Sequence, residues 1–230
     1  MCGRYSQTGP DPSVLRDRFP IGERVEVRRR FNVAPGDHVL AVTTDREGAP
    51  RGEVLRWGLV PHWADDPAKL GLKLINARSE TMAEKPSFRD AFQRRRCLVV
   101  ADGFYEWEKR PDGSTQPWWV TRPDGEPFAF AGLWATWRGR EDVEPLRTCT
   151  IVTTRASAQL AHIHDRMPVM LPSADAEQAW IDHGTPPAVL EELCAPLEQT
   201  GTRAVGTAVN DARYDGPDCL EPAPEPLTLF

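Results

Sequence analysis

The stretch CLVVADGFYEWE, residues 97–108, has the composition of a buried β-strand. Val, Leu, Phe, Tyr and Trp dominate it, and these residues are enriched in strands. Comparable runs, each rich in Val, Thr or aromatic residues and separated from the next by turn residues, occur at 38–43, 117–121, 128–137 and 147–154. The motif RPDG occurs at 110–113 and again at 122–125, and Pro-Asp-Gly is typical of turns. These two motifs predict turns that bracket a short strand.

Helical patterns are fewer and lie around the β-type runs. They are predicted at about 12–18, 77–84, 87–95, 174–182 and 187–195, with Ser87 and Ser173 as helix N-caps. Strands and helices do not alternate along the chain, which argues against a doubly wound fold. We therefore predict an α+β protein with a mixed or barrel-like sheet and peripheral helices. Residues 1–230 are expected to form a single domain with a flexible Pro-rich tail from about 222.

The charge distribution is uneven, although the formal net charge is −6. Residues 1–110 contain 20 Lys and Arg against 16 Asp and Glu, whereas residues 111–230 contain 8 against 18. Of the basic residues 24 are Arg and 4 are Lys. The planar guanidinium suits phosphate, although a GC-rich genome would give the same bias. The first half of the chain could therefore build a phosphate-binding groove.

Several classes of protein are disfavoured. No apolar run approaches the ~20 residues of a membrane helix, and no signal peptide is visible, so a cytoplasmic protein with no membrane partner is expected. The five cysteines include no C-x-x-C pair, which argues against a disulfide framework or a zinc knuckle. No histidine pair has the spacing of metal ligands. No metal and no cofactor are predicted.

Cys2 becomes the N-terminal residue when Met1 is removed, as is usual before a small residue. Its α-amine and thiol then have ordinary pKa values of about 7.7–8.0 and ~8.5, so both have reactive fractions at neutral pH. The thiolate could attack an amide with the amine as its base, as in N-terminal-nucleophile hydrolases. Alternatively, the amine could condense with an aldehyde and the thiol could close a thiazolidine ring. The residues alone leave both reactions open.

Three further residues are candidates for the chemistry. Glu106 lies among aromatic residues, where desolvation would raise the pKa of its carboxyl and suit it to acid–base catalysis; it could equally face outward. His164 precedes Asp165-Arg166-Met167-Pro168 and is a candidate proton donor or a structural histidine. Asn76 could hydrogen-bond a substrate or belong to a plain helix-capping segment.

Two arginines and two tryptophans are candidates for contacts with nucleic acid. Arg4 could hold an anion near Cys2 or form a surface salt bridge, and Arg78 could hold phosphate or belong, like Asn76, to a plain capping segment. In the stretch RWGLVPHW, residues 56–63, we expect Trp57 inside the protein and Trp63 near the surface. An exposed Trp beside Arg suits stacking on a base.

Together these motifs closely resemble the SRAP family, the SOS response-associated peptidases. The matching stretches, in order along the chain, are CGRY (2–5), RFNVAP (30–35), RWGLVPHW (56–63), NARSET (76–81), GFYEW (103–107), AGLW (131–134), TIVTT (150–154), HDRMPV (164–169) and VN…DGPDCLEP (209–222). They span nearly the whole chain. Any one of them would be a weak signal, but nine in register are not expected by chance.

The resemblance implies a substrate and a reaction. Proteins of this family bind single-stranded DNA at abasic sites and couple the N-terminal cysteine to the ring-opened deoxyribose. The product is a thiazolidine crosslink that shields the lesion from strand cleavage and error-prone bypass. The family name also implies peptidase chemistry, such as removal of Met1, and the imine implies a lyase side reaction. A monomer that associates with the nucleoid when bound to DNA is expected.

The resemblance also implies roles for residues of this chain. Cys2 would supply the amine and the thiol, and Glu106 would be the acid–base group. His164 would protonate the sugar ring oxygen, and Asn76 would position the N-terminus or the sugar. The residues that would take flanking phosphates are Arg4, Arg78 and Arg166. The alternatives are a thiol hydrolase and a non-catalytic single-stranded DNA-binding module.

Overall fold

The protein, seen here in a computed structural model that describes residues 2–9, 12–139 and 144–224, consists of two β-sheets with short helices around them. The strands are β1 (Tyr5–Gln7), β2 (Arg30–Val33), β3 (His38–Thr44), β4 (Pro50–Trp57), β5 (Asn76–Arg78), β6 (Arg96–Ala101), β7 (Gly103–Lys109), β8 (Thr115–Thr121), β9 (Phe128–Trp137), β10 (Leu146–Arg155), β11 (Arg166–Pro168) and β12 (Gly201–Ala204). The helices are α1 (Pro12–Arg18), α2 (Pro67–Gly71), α3 (Arg89–Arg94), α4 (Ala174–Ile181) and α5 (Pro187–Glu192), followed by 3-10 turns at Thr207–Asn210 and Pro217–Leu220.

The larger sheet closes on itself. Its order is β11-β10-β4-β3-β6-β9, and β9 also pairs with β10, so that β10, β4, β3, β6 and β9 form a barrel. One edge of β10 pairs in parallel first with β4 and then with β5, while the remaining pairs of this sheet are antiparallel. The predicted mixed, barrel-like α+β architecture is therefore confirmed.

The smaller sheet has the order β12-β8-β7-β1-β2. The stretch 97–108 crosses from the barrel to this sheet, because β6 ends at Ala101 and β7 begins at Gly103. A Cβ on Gly103 would lie 2.3 Å from Nε1 of Trp119, so the close approach of β8 requires glycine there. Residues 97–108 were predicted as one β-type run. The structure instead divides them into two strands that belong to different sheets, with the break at Asp102.

A shared core joins the two sheets. One cluster of buried side chains includes Tyr5 and Phe104 of the smaller sheet together with Leu55 and Ile151 of the barrel. Cys2 belongs to the same cluster. A second cluster lies against the helices and includes Trp180 of α4. Cys2 is therefore held in the core between the sheets.

Several local predictions can now be compared with the structure. The two RPDG turns bracket β8, with positive φ at Gly113 and Gly125. Ser173 caps α4 by accepting a hydrogen bond from the N–H of Ala176 at 3.2 Å. Among the described residues no helix has the length and apolar character needed to cross a bilayer. The last residues of the predicted tail, 225–230, lie outside the described part.

The predicted helix at 77–84 is wrong. Residues 76–78 form β5, and turns follow. Parallel pairing of β5 with β10 satisfies its backbone and overrides the weak helical pattern. Ser87 is likewise not an N-cap, because α3 begins after Phe88 and has no side-chain cap.

Arg96 joins the ends of two helices inside the core. The residue is 2% exposed, and its guanidinium donates to the carbonyls of Phe92 (2.7 Å), Trp180 (2.6 Å) and Asp182 (2.6 Å). These carbonyls lie at the C-terminal ends of α3 and α4, where a cation also meets the negative end of the helix dipole. Burial lowers the pKa of Arg96, and the three carbonyls offset the cost of removing its charge from water.

Arg96→Met is therefore expected to destabilise the protein by about 3 kcal/mol, because it leaves buried carbonyls without donors. Chemical denaturation measures the effect. The control is Arg94→Met, whose side chain is 77% exposed at the end of α3 and should change stability by less than about 0.5 kcal/mol. Equal effects of the two substitutions would contradict this role for Arg96.

Candidate active site

The N-terminal segment is fixed from both sides. β1 lies between β2 and β7 in the smaller sheet, with Tyr5 opposite Phe104. Asp102 holds the far end of β1, since it accepts hydrogen bonds from Oγ of Ser6 (2.6 Å) and Oγ1 of Thr8 (2.7 Å). Because β1 has a hydrogen-bonded neighbour on each side, it places Cys2, three residues before β1, in one defined location.

Cys2 is fully buried, and its Sγ lies 3.7 Å from the carbonyl oxygen of Arg4. Burial raises the pKa of the Cys2 thiol far above its usual range, and the carboxylate of Glu106 raises it further. The expectation of an ordinary thiol pKa was therefore wrong for the chain in this form. The thiol is neutral at pH 7 and needs a base to take its proton.

Asn76 connects β5 to the N-terminus. Its Nδ2 donates to the carbonyl oxygen of Cys2 at 2.8 Å. Its Oδ1 is buried and has no hydrogen-bond partner among the described residues. The side chain thus fixes Cys2 and presents an acceptor beside it. This contact depends on β5 pairing with β10, which sequence analysis did not predict.

Glu106 lies on β7 and is 5% exposed. Desolvation raises the pKa of its carboxyl to about 7; the positive charge of the chain's N-terminus lowers it, and Asp165 raises it. The raised pKa expected from the aromatic surroundings is found. Both protonation states are therefore populated at neutral pH, which suits a group that gives and takes protons.

His164 lies in the loop before β11. Its Nδ1 is 2.9 Å from both the backbone N–H of Arg166 and Oδ1 of Asp165, and one nitrogen cannot serve both. Burial and the charge of the N-terminus lower the pKa of His164, and the side chain of Asp165 is 85% exposed and well screened. We therefore assign the neutral ring, in which Nδ1 accepts from Arg166 and Nε2 carries the proton.

Glu106 and His164 border one narrow crevice that is too tight to hold a water molecule. Its remaining lining is mostly apolar and consists of Phe104, Val120, Leu160, Ile163 and Arg166. An apolar lining lowers the local dielectric and so strengthens the electrostatic interactions of the groups beside it. The site thus combines a buried thiol, an amide, a carboxyl of near-neutral pKa and a neutral histidine.

The predicted phosphate-binding arginines differ in their surroundings. Arg78 is exposed on β5, and no hydrogen bond or ion pair joins its side chain to another described residue. Nη1 of Arg4 donates to Oδ1 of Asn32 (2.8 Å) and the carbonyl oxygen of Val209 (2.6 Å). Arg166 is 9% exposed. The geometry therefore favours Arg78 as the arginine available to solvent.

The predicted difference between the two tryptophans is confirmed. Trp57 is fully buried and Trp63 is 49% exposed. The Nε1 of Trp57 donates to the carbonyl oxygen of Ile75 at 2.9 Å, directly before β5. Trp57 thus supports the segment that carries Asn76 and Arg78. The stacking role of Trp63 stays a prediction.

Sequence reasoning missed the residues that hold Arg4. Asn32 is 1% exposed, and its Nδ2 donates to the carbonyl oxygens of Asp211 (3.0 Å) and Tyr214 (2.7 Å). Asp215 accepts the N–H groups of Phe31 (2.6 Å) and Asn32 (2.8 Å). The motifs at 30–35 and 209–222 were visible in the sequence, but only the fold shows that they meet.

The fold and the site define a class: an α+β protein in which the second residue, Cys2, is buried, hydrogen-bonded through its carbonyl to Asn76 and electrostatically coupled to Glu106. The chain belongs to the SOS response associated peptidase (SRAP) family, whose model matches residues 1–212. The family indicated by the sequence motifs is therefore confirmed.

Similar proteins have names that refer to DNA lesions. The chain is 39% identical over 228 residues to the abasic site processing protein YoaM of Bacillus subtilis, covering 96% of this chain and 98% of YoaM. It is 33% identical over 238 residues to the abasic site processing protein YedK of Escherichia coli, covering 96% and 100%. A crystal structure of a protein from Bacteroides thetaiotaomicron has the same fold, with a TM-score of 0.86, 22% identity and coverage of 96% and 100%.

Proposed function

We propose that this protein processes abasic sites in single-stranded DNA by forming a thiazolidine crosslink through Cys2 after removal of Met1. The names of its relatives support the substrate. The observation that carries the chemistry is the position of Cys2, held by Asn76 at 2.8 Å and electrostatically coupled to the carboxyl of Glu106. Loss of Met1 transfers the free amine to Cys2, so that amine and thiol lie on adjacent carbons.

The first step is opening of the deoxyribose ring. An abasic sugar is a cyclic hemiacetal, and it reacts as an aldehyde only after the bond from C1′ to the ring oxygen breaks. The Nε2–H of His164 donates a proton to that ring oxygen as the bond breaks, while the C1′ hydroxyl gives its proton to solvent water, which returns one to Nε2, so that an aldehyde and a neutral His164 remain. The neutral tautomer assigned above provides this donor.

In the second step the amine of Cys2 attacks the aldehyde carbon. The resulting carbinolamine loses its hydroxyl group as water when the protonated carboxyl of Glu106 supplies a proton, and an imine forms. Asn76 holds the carbonyl of Cys2, and its buried Oδ1 can accept an N–H of the attacking amine. A carboxyl with a pKa of about 7 is protonated in a large fraction of molecules at neutral pH.

In the third step the thiol closes the ring. Loss of water leaves the imine protonated; the carboxylate of Glu106 then takes the Sγ proton, sulfur bonds to the imine carbon, and the electron pair of the C=N bond returns to nitrogen. The complete reaction releases one water and consumes no other reactant. Because both nucleophiles belong to one residue, the closure has a high effective concentration. The same imine would permit a weak lyase side reaction, and removal of Met1 at this site would be a peptidase reaction.

Arg78→Ala is expected to weaken binding of single-stranded DNA by about fivefold at 0.1 M salt and to reduce the slope of log K against log salt by ~0.7, the value for one phosphate contact. Fluorescence anisotropy at several salt concentrations measures both quantities. The control is Arg51→Ala. This exposed arginine lies on β4, six residues before Trp57, so it is roughly 20 Å along the strand from the residue that supports the Arg78 segment. Equal changes in the two variants would contradict a contact at Arg78.

The proposed function is tested by incubating the protein with single-stranded DNA that contains one abasic site. The protein lacking Met1 should give a crosslink that survives heating in detergent. A version with an uncleaved N-terminal tag should give none, because the tag converts the amine to an amide. Normal crosslinking by the tagged protein would overturn the mechanism. Tight, salt-sensitive binding with no crosslink would instead indicate a non-catalytic DNA-binding module.

A further inference from the structure

Arg166 and Glu80 form an ion pair beside the site. Arg166 lies on β11 and Glu80 follows β5, and these two strands flank the barrel strand β10. Nη1 of Arg166 lies 2.6 Å from Oε1 of Glu80, and Nη2 lies 2.9 Å from Oε2. This two-pronged geometry is the strongest arrangement of a guanidinium and a carboxylate. Glu80 belongs to the NARSET motif and Arg166 to the HDRMPV motif, so the pair joins two segments that are distant in sequence.

The pair is anchored on one backbone carbonyl. Nη2 of Arg166 also donates to the carbonyl oxygen of Thr153 at 2.7 Å, and the N–H of Ser79 donates to the same oxygen at 2.9 Å. Thr153 is flanked by Arg78 of β5 on one side and by Pro168 of β11 on the other. Both neighbouring strands are only three residues long. Such short strands need side-chain contacts to hold them in register.

The pair also reaches His164. The backbone N–H of Arg166 donates to Nδ1 of His164 at 2.9 Å and thereby selects the tautomer that carries the proton on Nε2. If the side chain of Arg166 loses its anchor, the start of β11 can shift and this hydrogen bond weakens. Glu80 therefore helps to fix the orientation of the His164 ring by holding the side chain of Arg166.

The charges of the pair have a second consequence. The side chain of Arg166 is 10% exposed, whereas that of Glu80 is 44% exposed. The hydrogen bond from Arg166 lowers the pKa of Glu80, so the carboxylate stays ionised at neutral pH. A solvent-facing carboxylate two residues after Arg78 reduces the local attraction for phosphate.

We propose that Glu80 is a positioning residue that holds Arg166 and, through it, His164. The kinetic part of this proposal rests on the proposed function. The structural part, the orientation of His164, does not. Glu80 itself touches no reacting atom in the proposed reaction.

The test compares Glu80→Gln with Glu84→Gln, which removes the same charge from an exposed residue of the same segment. We expect Glu80→Gln to lower the maximal crosslinking rate at saturating abasic DNA by about tenfold, the cost of a small misplacement of a catalytic group. Its affinity for undamaged single-stranded DNA should be unchanged or up to about threefold tighter, because one negative charge is lost. Glu84→Gln should keep the wild-type rate. Glu80→Asp, which retains the charge but is shorter, should have an intermediate rate.

Nitrogen NMR of the histidine rings provides an independent measurement. Neutral His164 should be a single Nε2–H tautomer in the wild type and a mixture of tautomers in Glu80→Gln. A parallel loss of rate and DNA affinity, or a rate within twofold of Glu84→Gln with an unchanged tautomer, would overturn the proposal. If the wild type does not crosslink at all, the proposed function fails, and the tautomer comparison alone decides the role of Glu80.

Discussion

Cys2→Ala is expected to abolish the heat-stable crosslink to abasic single-stranded DNA, with a loss of at least about 10³-fold in rate. The variant keeps the N-terminal amine and can still form an imine, but it has no second nucleophile to close the ring. Imines hydrolyse readily, so no adduct should survive heating. Denaturing gels of timed reactions measure the loss.

Two controls make this result specific. Cys149→Ala removes a thiol that is also fully buried but lies on β10, and it should crosslink normally if it folds. Treatment of Cys2→Ala with borohydride should trap its imine as a stable adduct, which shows that the amine still reaches the aldehyde. A heat-stable crosslink from Cys2→Ala without borohydride would rule out the thiol as the second nucleophile.

Glu106→Gln is expected to slow crosslinking by about 10²- to 10³-fold, the usual contribution of a general acid–base group. Glutamine preserves the shape of the side chain but can neither protonate the departing hydroxyl nor take the thiol proton. His164→Ala should also slow the reaction, because ring opening loses its proton donor. In both variants the affinity for abasic DNA should stay within about twofold of the wild type; a matching loss of affinity would indicate structural roles.

The pH dependence gives a sharper test of Glu106. The acid form of its carboxyl is present below a pKa of about 7 and is lost above it, whereas the attacking amine becomes neutral as the pH rises. When dehydration limits the rate, the wild-type profile should be bell-shaped and should fall on its alkaline side. Glu106→Gln should lose this descending limb, and Glu108→Gln on the same strand should keep it. If Glu106→Gln kept the same bell-shaped pH–rate profile, the fall in rate at alkaline pH would belong to another group.

Much of the fold can be predicted from local sequence, and the exceptions have a common physical cause. The central strands and the two RPDG turns depend on strand propensity and on glycine, which are local properties. The switch between sheets at Asp102 depends instead on Ser6 and Thr8, more than ninety residues away. The same holds for β5, whose helical pattern was overridden by pairing with β10.

The site shows a similar division. Its candidate residues carry recognisable chemistry, so Cys2, Glu106, His164 and Asn76 could be selected from the sequence. The short polar N-terminal motif does not indicate that the Cys2 thiol is buried. Burial raises the pKa of this thiol, whereas an ordinary pKa was expected from the sequence. The ion pair of Arg166 was also invisible, because its partner Glu80 lies 86 residues away.

The central claim is that the amine and the thiol of Cys2 are both consumed by one DNA aldehyde, and the intact mass of the crosslink tests it most directly. A thiazolidine predicts the mass of the protein without Met1 plus that of the DNA minus one water, unchanged after borohydride treatment. A mass that rises by two hydrogens after borohydride would show an open imine instead. An adduct that retains Met1 would contradict the account altogether.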